Sequence, residues 1–129
     1  MNGSSNFSDD AISAYRRAFE ERERQKMTRR ERRRLEALAA IEQAVRVTAS
    51  SYPAIRRVYL FGSITRPSTF RSSSDIDVAV EGLGAGRCFD LWRDLERAAP
   101  GWTLDVRSLR QRDYFSDRIR ERGMVVYER

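Results

Sequence analysis

The sequence predicts an α/β (α+β) domain: one small mixed β-sheet with helices packed mainly on one face, preceded by a long N-terminal helical extension. Three observations predict it. Short apolar runs at Val58-Tyr59-Leu60-Phe61, Ile76-Asp77-Val78-Ala79-Val80, Leu104-Asp105-Val106 and Met124-Val125-Val126-Tyr127 alternate with stretches of helical composition. Gly and Pro are absent from Asp9 to Ser50, a segment rich in Ala, Glu, Arg and Leu. With 129 residues, the chain is long enough for one core that buries most of its apolar surface.

Taken in order, residues 1–8 are polar and read as a disordered tail, and Ser8 or Asp9 is the expected cap of the first helix. Residues 9–34 form a charged helical extension, and residues 35–129 the folded domain. Within the first helix Leu35, Leu38, Ile41, Val45 and Thr48 repeat at three-to-four spacing, which suits packing on a sheet. Tyr52-Pro53 ends it, because the residue before proline avoids the helical conformation. Strands are expected near Arg56 to Phe61, Asp75 to Glu81 and Thr103 to Val106. Gly82, Gly84 and Gly86 read as a flexible connection; their spacing is too short for a dinucleotide fingerprint. A helix from about Phe89 to Ala99 stops at Pro100-Gly101. A last helix, about Arg110 to Arg122, is capped by Gly123 and leads into a terminal strand.

The segment from Arg22 to Arg34 is densely charged with arginine predominating. A solvated helix laced with Glu–Arg pairs is the first reading. Docking on a partner through Ile12, Tyr15 and Phe19 is the second. Direct nucleic-acid contact is not favoured, because aromatics do not interleave with the arginines as in single-strand binders.

Composition excludes whole classes of chemistry. The chain has no histidine, which removes Ser-His-Asp triads, histidine-ligated zinc and histidine-dependent ribonucleases. Its one cysteine, Cys88, leaves no internal disulfide and no thiolate zinc cluster. No run of 18 apolar residues is present and the first residues do not resemble a signal peptide, so a cytoplasmic protein with no membrane partner is expected. The net charge of +6 suits a nucleic acid or an acidic protein alike. Any catalysis must rest on carboxylates and a metal.

Those carboxylates stand in a specific pattern. An apolar strand runs into Gly62-Ser63, eleven residues follow, and Asp75-Ile76-Asp77 opens the next strand. Glycine lets a backbone approach a phosphate closely, and Ser63 can open a short helix whose N–H groups face an anion. A period of two places Asp75 and Asp77 on one face and Ile76, Val78 and Val80 on the other. Asp105, between two apolar neighbours, is the third carboxylate of the set. Magnesium takes one or two carboxylates together with substrate phosphates, so this grouping suits a nucleotide and its metal. Taken singly, each feature has an ordinary structural reading: a turn, a strand cap, an ion pair, an exposed strand residue.

The pattern Gly62-Ser63, Asp75-Ile76-Asp77, Leu104-Asp105-Val106, with the ending Ile119 to Tyr127, resembles the minimal nucleotidyltransferases of the DNA polymerase beta superfamily. It is most similar to the MNT antitoxins encoded beside HEPN-type toxin ribonucleases, over about residues 35–129. That resemblance implies the nucleotidyltransferase fold and magnesium-dependent transfer of AMP from ATP to a tyrosine hydroxyl of a partner HEPN toxin, which silences it. It implies triphosphate binding by Gly62 and Ser63, with Arg66 as a phosphate contact and Arg71 as a weaker candidate. It implies Asp75, Asp77 and Asp105 as metal ligands and catalytic carboxylates. The segment Ile64 to Thr69 departs from the commoner Arg-Ala-Arg-Gly loop, and the helix before residue 35 exceeds the minimal pattern. Two other functions compete: a non-catalytic module that neutralises a partner by covering it, and a small-molecule nucleotidyltransferase of the aminoglycoside type. The second usually needs a further helical domain.

Overall fold

The computed structural model describes residues 2–110 and 112–129, with side chains from residue 8 onward. Among the described residues three helices and four strands follow the alternation predicted above, and the mixed sheet with helices mainly on one face is borne out. Helix α1 spans Asn2–Thr48 and a 3-10 turn, Ala49–Ser51, follows it. Strand β1 is Arg57–Phe61, β2 is Ile76–Glu81, α2 is Ala85–Ala98, β3 is Leu104–Ser108, α3 is Tyr114–Arg122 and β4 is Met124–Glu128.

The sheet runs in the order β3-β2-β1-β4. Strand β1 is antiparallel to both neighbours, whereas β2 and β3 are parallel. A parallel pair needs a crossover, and α2 supplies it. Along β1 and β2, Val58, Leu60, Ile76, Val78 and Val80 point to one face, where Ala37, Ile41, Ala44 and Val45 of α1 and Cys88, Leu91 and Leu95 of α2 bury them. Tyr59 and Ala79 point to the other face and meet Ile119 of α3, with Phe61 at the margin. The first face is closed by two helices and the second is covered by one. The outer part of the second face therefore stays open.

Several element boundaries differ from the sequence expectation, each for a physical reason. Helix α1 begins at Asn2, ahead of the cap expected at Ser8 or Asp9 and within the tail expected to be disordered; Met1 lies outside the described residues. Leu35 stays exposed, and the small Ala37 and Ala44 take the sheet-facing positions, letting the helix approach closely. Gly84 is the N-cap of α2 and Gly86 lies within that helix, so only Gly82 belongs to the connection. Helix α3 starts at Tyr114 because Asp113 Oδ1 accepts from Ser116 N–H (2.7 Å) and caps it there. Gly123 ends α3 at a φ of −70°, so its need is for room: a Cβ there would lie 2.6 Å from Ile119 O.

The first half of α1 stands clear of this core, with Ile12, Tyr15 and Phe19 exposed. A helix of this length extends about 70 Å. The join with the body is a clamp. Arg34 Nη1 donates to Ile64 O (3.1 Å), Glu31 Oε2 accepts from Ser68 N–H (2.8 Å), and Glu31 and Arg34 pair with each other at 2.5 Å. Ser68 adopts a φ of 63°, which costs a non-glycine residue some energy, and the Glu31 carboxylate holds it there. The clamp residues belong in sequence to the charged extension, yet they shape the loop after Gly62-Ser63.

This division of α1 has a measurable consequence. Ile41→Ala is expected to lower the unfolding free energy by about 3 kcal/mol, and Tyr15→Ala to change it by less than about 0.5 kcal/mol. Urea denaturation of both variants checks this, and comparable losses would contradict the division.

Candidate active site

The parallel pairing of β2 and β3 sets Asp77 directly beside Asp105 in register. Both are partly buried and point to the face that α3 only partly covers. On the other side of Asp77, the antiparallel register places Phe61 opposite it, and Gly62 follows at the strand end. The backbone meets the carboxylate closely here: a Cβ on Gly62 would lie 2.3 Å from Asp77 Oδ2. Gly62 also has a φ of 76°, in the left-handed region that favours glycine. Two independent constraints thus require glycine at this position.

The turn after β1 is a four-residue 3-10 helix, Gly62–Thr65. Its carbonyls are engaged by the loop and by α1: Thr65 Oγ1 donates to Gly62 O (2.7 Å), Thr69 Oγ1 to Ser63 O (2.8 Å), and Arg34 of α1 to Ile64 O. Ser63 is therefore held in a bonded backbone frame directly after Gly62.

Asp75 lies one residue before β2, which begins at Ile76, and it is exposed. Its charge still reaches Asp77. Burial pushes the Asp77 carboxyl up to about 6, with further upward pressure from Asp105 and Asp75 and only partial relief from Arg107. Arg107, two residues beyond Asp105 on the same face, bonds to Asp105 Oδ2 at 3.3 Å and lies over the Phe115 ring at 5.3 Å. Among the described residues no three carboxylate or thiol side chains converge into a ready-made metal cage. The donor set nevertheless fits magnesium: two adjacent hard oxygen ligands, under-neutralised, next to a glycine-lined approach for phosphate. A site of this kind is completed by the substrate's own oxygens.

Beside Gly62 opens a cleft of about 630 Å³, lined by Phe61, Thr65 and Arg66 on one wall and by Phe115, Arg118 and Arg122 of α3 on the other. Phe61 and Phe115 meet edge to face, with centroids 5.5 Å apart. Arg66 thus stands in the cleft with Gly62, whereas Arg71 lines a different cleft against α1. Arg107, Phe115, Arg118 and Arg122 escape the sequence motifs. The one hint is the Arg118–Arg122 spacing of four on a helix that ends at Gly123.

The family model described as Polymerase beta, Nucleotidyltransferase matches residues 43–129. The chain belongs to the polymerase beta nucleotidyltransferase family. Solved structures agree on the fold. A crystal structure of a toxin–antitoxin with AMP-PNP is similar at 24% identity, covering 68% of this chain and 73% of that one, with a TM-score of 0.56. A mutant of the toxin–antitoxin MntA-HpeT is similar at 22% identity over 68% and 73%, also at 0.56. The toxin–antitoxin MntA-HepT follows at 21% over 69% and 71%, at 0.50. No curated protein matches the chain significantly in sequence. Among the described residues no helix is long and apolar enough to cross a membrane.

The crowding of charge makes this candidate site costly to the metal-free fold. A carboxyl raised above its unfolded value of about 3.9 binds its proton more tightly in the native state. Stability is then highest below pH 4 with respect to this group and falls as the pH rises through about 6. Asp77→Asn is expected to raise the unfolding free energy at pH 7.5 in a chelator by roughly 1–2 kcal/mol and to flatten that decline. Thermal melts from pH 4 to 8 check it; a lower melting temperature for the variant at pH 7.5 would contradict it.

Proposed function

We propose that this nucleotidyltransferase is a cytoplasmic antitoxin that transfers AMP from ATP, with magnesium, to a tyrosine hydroxyl of a partner HEPN toxin and thereby silences it. The observation that carries the reading is the register-matched pair Asp77 and Asp105 beside Gly62, opening on a cleft with three arginines. Support comes from the fold's likeness to toxin–antitoxin structures, one of them with AMP-PNP.

The residues divide the work by position. Gly62 and Ser63 take the triphosphate against the fixed turn, and Arg66, with Arg118 and Arg122 across the cleft, offsets its charge. Asp77 and Asp105 would hold the magnesium, with Asp75 at the rim. Bound there, the metal neutralises phosphate charge and acidifies the attacking hydroxyl. Asp105 sits on the edge strand β3, where an acceptor from another protein can reach it. The tyrosine oxygen attacks the α-phosphorus, the bond from that phosphorus to the bridging oxygen breaks, and pyrophosphate leaves. The hydroxyl proton passes to Asp105. Tyrosine has a pKa of about 10 and a free Asp about 3.9, so this transfer proceeds only as the new bond forms. Arg107 pairs with Asp105 at 3.3 Å and orients its carboxylate.

Intact-mass spectrometry of the neighbouring gene's product, incubated with this protein, ATP and magnesium, tests the reading. The expected result is a gain of one or more AMP masses, lost with Asp105→Asn while its melting temperature stays near wild type. A stable complex with no mass change would overturn the transfer and leave neutralisation by binding.

A further inference from the structure

We propose that the cleft between α1 and the turn before β2 binds the sugar–phosphate backbone of a nucleic-acid strand. The cleft, of about 470 Å³, gathers Lys26, Arg29, Arg30 and Arg33 from α1 and Arg71 from the turn. Of these five cations, among the described residues, only Lys26 has a carboxylate partner, Glu23 at 3.3 Å. On the same helix, outside the cleft, Arg24 pairs with Glu21 and Arg34 with Glu31. No acidic side chain lines the cleft. Arg33 lies over the Trp102 ring at 4.5 Å, and its Nε is buried without an acceptor. Like charges converging without a counterion destabilise one another, and a bound anion relieves them.

The details favour a phosphate chain over an acidic protein surface. Lys26, Arg29, Arg30 and Arg33 recur at three-to-four spacing along one helix face and cover about 10 Å of rise. That regular ladder suits a ligand whose charge repeats at even intervals. Guanidinium forks match phosphate oxygens, and the exposed hydroxyls of Ser72 and Ser73 add the neutral donors common at nucleic-acid backbones. The turn that presents them is fixed by Ser74, whose Oγ accepts from Arg71 N–H (2.9 Å) and whose own N–H donates to Arg71 O (3.0 Å). A protein interface needs an apolar anchor at its centre, but the one large apolar residue here, Phe70, is 0% exposed. The same fact leaves no exposed ring for base stacking, so the contact is to the backbone and indifferent to sequence. This cleft is separate from the one beside Gly62, and the inference stands whatever the acceptor of nucleotidyl transfer is.

Fluorescence anisotropy with the full chain and a labelled single-stranded RNA of about 20 nucleotides, over a salt series, tests it. Arg29→Gln/Arg30→Gln is expected to weaken binding about tenfold and to make the slope of log affinity against log salt shallower by about 1.4. Arg16→Gln/Arg17→Gln removes equal charge from the exposed helix outside the cleft, and is expected to change affinity by less than about twofold. Equal losses from both pairs would overturn the site in favour of net charge alone. Unchanged RNA binding in the first pair would overturn it too. Tighter binding of polyglutamate than of RNA would also overturn it, in favour of an acidic protein partner.

Discussion

Asp77 and Asp105 stand side by side because two parallel strands share one register, and almost everything around them serves that placement. Like charges at adjacent strand positions repel, and burial adds to the cost by removing water. A fold tolerates this only with a rigid support. Here β2 is an inner strand, flanked by β1 and β3, and its apolar face is sealed by α1 and α2. The favourable burial on that face offsets the unfavourable charge on the other. Gly62 completes the arrangement, since any side chain there would occupy the space of the Asp77 carboxylate.

The helix that resembles a mere extension turns out to bear on the same site. Glu31 and Arg34 grip the loop between Gly62-Ser63 and Asp75, and they hold Ser68 in a conformation it would otherwise avoid. On the same turn of helix, Arg30 and Arg33 line the cleft with Arg71. A densely charged stretch of sequence therefore holds arginines of different roles: Arg34 is locked against Glu31 and Ile64, whereas Arg30 and Arg33 line the basic cleft. The cleft beside Gly62 and the basic cleft both adjoin the segment between β1 and β2.

Much of the fold was legible because its signals are local. Alternation in Ile76 to Val80 marks a strand with one buried face, and the Gly-Ser turn with its acidic partners at fixed spacing marks the candidate site. What was not legible depends on which strands become neighbours. The pairing of Asp77 with Asp105 requires the parallel crossover, and the placement of Arg118 and Arg122 across from Arg66 requires α3 to fold back over β1. Asp75 illustrates the limit of periodicity: alternation places it with Asp77, but the strand starts one residue later and leaves it exposed at the rim. Glu31 and Arg34 look from sequence like any surface pair at short spacing; only the tertiary contact to Ile64 and Ser68 distinguishes them.

The central claim is that Asp77 and Asp105 act together to hold a metal-bound nucleotide beside Gly62. Calorimetric titration of AMP-PNP into the protein, with and without magnesium, tests it most directly. The account predicts that tight binding requires magnesium and weakens at least tenfold, a loss of about 1.4 kcal/mol, in Asp77→Asn and in Asp105→Asn. Binding of equal strength in the wild type and both variants, or binding indifferent to magnesium, would contradict it.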